Sequence, residues 1–165
     1  MKISIPLTFL ALAGFAGQLW SAGMADQVSV ADPYVRLAPP GAKVTAAFMT
    51  LRNSSDKAAL VVTADSAVAN VTELHNHIND GGVMRMRQVK EIVVPAQGEV
   101  SLKPGSYHVM LIDMKAPLKD GDAVAITLGF ADGSSKIVEA PVKRPTAGMM
   151  PKRDMGGMDH SKMKH

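Results

Sequence analysis

Residues 123–142 read AVAITLGFADGSSKIVEAPV: an apolar run from Ala123 to Phe130, the turn residues Ala131-Asp132-Gly133, then a second run from Ser135 to Val142. Two runs of strand length parted by turn residues predict two strands. The same grammar extends back along the chain. Val44 to Leu51 (VTAAFMTL) lies between Pro39-Pro40-Gly41 and Arg52-Asn53-Ser54-Ser55-Asp56. Further strands are predicted at Ala59–Thr63, Val71–His77, Val83–Val89, Val100–Leu102 and Tyr107–Met114. No segment keeps a helical apolar period for three turns, and no internal repeat is present. Short strands at a spacing of roughly ten residues predict an all-β sandwich or barrel.

Composition narrows the chemistry. The 165 residues carry 47% hydrophobic and 20% charged side chains, with a formal net charge of +3, a balance that fits a globular domain. The basic residues form no long patch of the kind that binds nucleic acid, so no nucleic-acid partner is expected. Cysteine is absent and methionine numbers 12. The lack of thiols excludes disulfide scaffolds, thiolate zinc fingers, iron–sulfur clusters, cysteine nucleophiles and blue-copper centres.

The two ends differ from the body. Residues 1–25, MKISIPLTFLALAGFAGQLWSAGMA, have Lys2, an apolar stretch and the small-x-small sequence Gly23-Met24-Ala25, the pattern of an export signal cleaved after Ala25. No later segment approaches transmembrane length, so an exported, periplasmic protein without stable membrane insertion is expected. Residues 26–145 form the predicted β domain. Residues 146–165 lack apolar periodicity and predict a flexible tail. That tail concentrates Met149, Met150, Met155, Met158 and Met163 with His160 and His165.

Within the body, His108 and Met110 are two apart, as are Met84 and Met86, and His75 and His77. On a strand each pair projects from one face. Met49 and Met114, with no histidine beside them, read as core side chains. Imidazole and thioether donors together suit soft Cu(I). Zinc is the alternative at this point, with Glu73 and Asp80 as oxygen donors.

The spacing His75-x10-Met86-x21-His108-x-Met110 resembles the motif of the periplasmic copper chaperones of the PCu(A)C type. The flanks are similar too: Glu73-Leu74-His75, Asp80-Gly81-Gly82-Val83-Met84-Arg85-Met86-Arg87, Pro104 to Leu111 and Pro117 to Asp122, within a likeness running from about Val28 to Val142. The resemblance implies a cupredoxin-like Greek-key β-sandwich, not an enzyme, that holds one Cu(I) near its surface through His75, Met86, His108 and Met110. It implies delivery to cytochrome c oxidase, at the subunit carrying the binuclear CuA centre, directly or through another periplasmic copper chaperone. His77 and Met84 are not ligands in the motif and stand as nearby auxiliary donors. The tail resembles Met/His-rich extensions found in part of that family, which implies a second copper there, including Cu(II). A monomer is expected. Copper buffering in the same compartment is the alternative function. A secreted zinc hydrolase using His75, His77 and His108 with Glu73 as base is a further one, although it lacks the H-E-x-x-H arrangement.

Overall fold

A computed structural model describes residues 23–145. The export signal expected over residues 1–25 therefore lies outside the described residues except for its last three positions. The tail, with Met149, Met150, Met155, Met158, His160, Met163 and His165, lies wholly outside them.

The described chain runs through one turn of helix, α1 (Met24–Gln27), and ten strands. These are β1 (Val28–Arg36), β2 (Val44–Asn53), β3 (Ala59–Asp65), β4 (Ala69–Asp80), β5 (Val83–Gln88), β6 (Ile92–Val94), β7 (Gly98–Leu102), β8 (His108–Met114), β9 (Ala123–Phe130) and β10 (Ser135–Lys143). Neighbours follow the order β5-β4-β8-β2-β1-β10-β9-β3-β6, with β7 also paired to β2. All pairings are antiparallel except β1 with β10, which run parallel through Val35–Val142 and Arg36–Lys143. The all-β sandwich expected from the spacing is what forms. Among the described residues, no helix is long and apolar enough to cross a membrane.

Period-two alternation builds the core. In β9, Val124, Ile126, Leu128 and Phe130 point inward, and in β10 Val138, Ala140 and Val142 do the same. They join Leu74 of β4, Val109 and Leu111 of β8, and Leu51 of β2 in one apolar cluster. Each fully buried leucine or valine there contributes about 1.5–3 kcal/mol of transfer free energy. Met49 and Met114 are buried, as their reading as core side chains required. Gly129 is needed because a Cβ at that position would collide with Oγ1 of Thr63 on β3. Gly133 closes the β9–β10 turn at φ +83°, a conformation that side-chain-bearing residues rarely adopt.

Two strands lie outside the predicted set. β1 carries Asp32-Pro33 in its middle, a sequence that argues against a strand. It forms because the register shifts between Ala31 and Tyr34, with Asp32 at φ +50°, so a bulge absorbs the break. β6 is only three residues long and is followed by Pro95. Helix α1 also shows that Met24 and Ala25 are built into the fold. The Met24 N–H donates to Asp132 at 2.7 Å, the Ala25 N–H donates to Ser134 Oγ at 3.0 Å, and Ala25 is buried.

Candidate metal centre

Strand register assembles the site. β4 and β8 pair with Leu74 opposite Val109 and His75 opposite His108. Since successive residues face opposite sides, Leu74 and Val109 enter the core while His75 and His108 project from the outer face. The same ladder sets Met110 opposite Glu73 on that outer face. β5, the edge strand, pairs with β4 so that Met86 stands opposite His77 and Met84 opposite Asn79. All four motif residues, His75, Met86, His108 and Met110, thus emerge on one face of three adjacent strands. His77 and Met84 emerge on the same face. Met86 and Met110 lie one diagonal step to either side of His75, a separation that long side chains span.

Burial is graded across this face. His108 is 2% exposed, whereas Met86 and Met84 are 44% and 55% exposed on β5. β2 and β1 supply a wall: Phe48 of β2 lies tilted 6.2 Å from the His108 ring, Tyr34 of β1 lies 5.1 Å from Phe48, and the Arg36 guanidinium, also on β1, covers Phe48 at 5.2 Å. The His75 and His108 rings are 5.8 Å apart, and those of His77 and His108 are 5.1 Å apart.

The hydrogen bonds fix which ring nitrogens are free. His108 Nδ1 lies 2.9 Å from the Ser106 carbonyl. A carbonyl only accepts, so Nδ1 carries the proton and Nε2 of the neutral ring holds a lone pair. His75 Nε2 lies 2.7 Å from a Glu73 carboxylate oxygen, so Nε2–H donates and Nδ1 holds the lone pair. Those two lone-pair nitrogens, and Nδ1 of His77, are buried without a hydrogen-bond partner. Leaving a buried polar atom unpaired costs about 1–3 kcal/mol, and three such lone-pair nitrogens on one face fit a Lewis acid as their partner. Burial, followed by the neighbouring His77, His75 and Arg36, lowers the His108 pKa, against an opposing effect of the Ser106 carbonyl. The ring is thereby held neutral, as a metal ligand must be.

Oxygen donors are engaged elsewhere: Glu73 holds His75, and Asp80 pairs with Arg85 at 3.3 Å. Among the described residues, no three His, Asp or Glu side chains converge on a common point. The face that carries the histidines also carries the thioethers of Met84, Met86 and Met110. A separate cleft of about 650 Å³ lies between residues 37–43 and 114–120, at the far end of β8 from His108. It is lined by no histidine.

The spacing of the histidines and methionines singled out residues that the fold brings to one face; Phe48, Tyr34, Arg36 and Ser106 it did not reveal. Ala46 to Met49 is an unbroken apolar run, and the two threonines of VTAAFMTL, Thr45 and Thr50, fall on opposite faces, so alternation could not say whether Phe48 or Met49 faces the core. Ser106 acts through its backbone carbonyl, which leaves no mark on residue type.

The LpqE-like family matches residues 28–142. The chain belongs to that family. It is 38% identical over 120 residues to protein Lxx21020 of Leifsonia xyli subsp. xyli, covering 72% of this chain and 71% of that one. Among solved structures it resembles the Cu(I) form of DR1885 from Deinococcus radiodurans, with TM-score 0.58, 38% identity, and coverage of 69% and 76% of the two chains. The copper-bound PCuAC domain of PmoF2 shares the fold at TM-score 0.61 and 23% identity, covering 72% of this chain and 94% of that domain.

Proposed function

We propose that this LpqE-like protein is an exported copper chaperone. It carries Cu(I) on the outer face of β4, β5 and β8, with His75, Met86, His108 and Met110 as ligands, and hands it to an acceptor protein. The observation that carries this reading is the set of buried, unpartnered imidazole nitrogens on a face shared with the motif thioethers. The 38% identity to a protein whose Cu(I) form is known supports it.

The four donors are neutral, so the bound ion brings one net positive charge, with the Glu73 carboxylate behind His75 as its nearest counterweight. Glu73 also orients the ring and raises its basicity. The absence of thiolate leaves the ion exchangeable. Graded burial orders the exchange: an acceptor reaches Met86 on the exposed edge strand first, and His108 lets go last. We further assign the destination as the CuA centre of cytochrome c oxidase, the compartment as the periplasm, reached through residues 1–25, and an auxiliary copper, including Cu(II), to residues 146–165. These assignments rest on the sequence motif and its resemblance.

The test is an anaerobic Cu(I) titration against a chromophoric chelator, using the full chain and a chain lacking residues 146–165. One tight Cu(I) in both chains, with additional binding only in the full chain, is the expected result. Loss of all tight binding with the tail would refute a donor site in the body. If the tail holds most of the bound copper, buffering is the better description.

A further inference from the structure

His77 lies outside the four-residue motif, yet its ring stands closer to His108 than the His75 ring does, at 5.1 Å against 5.8 Å. A metal sits about 2.0 Å from an imidazole nitrogen, so two rings sharing one ion keep their centroids about 4.5–6.3 Å apart. Both separations fall in that window. His108 can therefore share an ion with either neighbour. His77 Nδ1, like His75 Nδ1 and His108 Nε2, is buried without a hydrogen-bond partner. His75 Nδ1 has its role as the motif ligand, while nothing yet accounts for the buried nitrogen of His77. Among the described residues no three such groups converge, so three imidazoles on one ion is not what the geometry offers. It offers two overlapping pairs.

We infer that His77 is a fifth copper donor, and that the face gives the ion two positions sharing His108: a deep one with His75 and an edge one with His77. This rests on the copper-chaperone reading and deepens it. The edge position faces the route out. His77 stands opposite Met86 in the β4–β5 ladder, and Met84 follows on the same face of β5, whose six residues are all exposed. An acceptor approaching the sheet edge meets Met84, Met86 and His77 before it meets His75. Movement between the positions is ligand exchange alone. The bond from copper to His75 Nδ1 breaks as the bond to Nδ1 of His77, in its Nε2–H tautomer, forms. Copper remains Cu(I), and no proton leaves the protein.

The test uses the full chain with ¹⁵N-labelled histidine, loaded anaerobically with one equivalent of Cu(I). The imidazole ¹⁵N resonance of His77 is expected to shift along with those of His75 and His108. In His77→Ala, handover to a competing chelator slows about tenfold, the range in which auxiliary groups act at metal sites. His77→Met, which restores a soft donor, recovers the rate, whereas a merely structural role for the ring would not be rescued in this way. If Cu(I) shifts His75 and His108 but leaves His77 unmoved, and His77→Ala transfers at the wild-type rate, this inference fails and the chaperone reading stands. If no histidine of the body responds to Cu(I), both fail together.

Discussion

The two faces of the β4–β8 ladder are built from the same two strands and have almost nothing else in common. On the inner face Leu74, Val109 and Leu111 are buried among other apolar side chains. On the outer face, one residue along in each case, stand Glu73, His75, His108 and Met110, with three imidazole nitrogens nearby left unpaired. The backbone that holds the core together is thus the backbone that spaces the donors. A site mounted this way is positioned by the strongest part of the fold, and its own side chains are free to be unsatisfied. The inner face sets stability, and the proposed function gives binding to the outer face.

The largest effects should separate the faces outright. His108→Ala removes the most buried donor and is expected to weaken Cu(I) affinity by about a hundredfold or more, since even supporting groups at metal sites are worth 10–100-fold. Its far-UV circular dichroism should match wild type. Leu111→Ala should destabilise the protein by about 2–5 kcal/mol, as other buried leucine truncations do, while the folded fraction binds Cu(I) with wild-type affinity. Chemical denaturation and chelator competition on both variants check the pair. Should His108→Ala unfold the domain, or Leu111→Ala abolish binding by folded molecules, the division of labour between faces is wrong.

A smaller effect sharpens the outer face. Glu73 touches His75, with no direct part in the proposed donor set. Glu73→Gln keeps the shape and removes the charge that balances the bound ion, and should cost about 10-fold to 100-fold in Cu(I) affinity. Glu139→Gln on β10 makes the same change in net charge away from the site and should leave affinity unchanged. Equal losses in both would make the effect one of overall charge, contrary to the orienting role given to Glu73.

How much of this was legible in the sequence follows from how local each feature is. The strands from Val44 onward, apart from the three-residue β6, were readable because apolar runs and turn residues are neighbours in the chain. The pairing of His75 with His108 was not, because register is set by a ladder that closes over more than thirty intervening residues. The motif spacing could say that the donors belong together, but not which ring nitrogen each would present; that depends on Glu73 and on a carbonyl of Ser106. Residues 23–25 show one sequence carrying two meanings. Gly23-Met24-Ala25 has the small residues of a cleavage signal, and the fold uses the same smallness for packing. A Cβ on Gly23 would lie 2.8 Å from the Ser134 Cβ, and Ala25 is buried.

The smallest effect concerns protonation, and its sign distinguishes the faces again. Among the described residues the buried apolar cluster behind this ladder contains no titratable side chain, so pH acts on the ladder from outside it. The folded-state pKa of His108 is lowered, chiefly by burial, while in the unfolded chain it returns to about 6.5. Above that value both states are neutral, and His108 makes no difference to stability. As pH falls below it, the unfolded chain takes up a proton that the folded ring resists, so the folded state loses ground until its own lower pKa is passed. The metal-free protein should therefore unfold at lower urea concentration at pH 5 than at pH 7.5. His108→Ala, which cannot bind that proton in either state, should show a smaller drop. Parallel urea titrations of the two proteins give the comparison, and an identical pH dependence would remove His108 as its source. With Cu(I) bound the loss should continue to lower pH, because the metal bond keeps the folded ring unprotonated while the unfolded His108 takes up its proton.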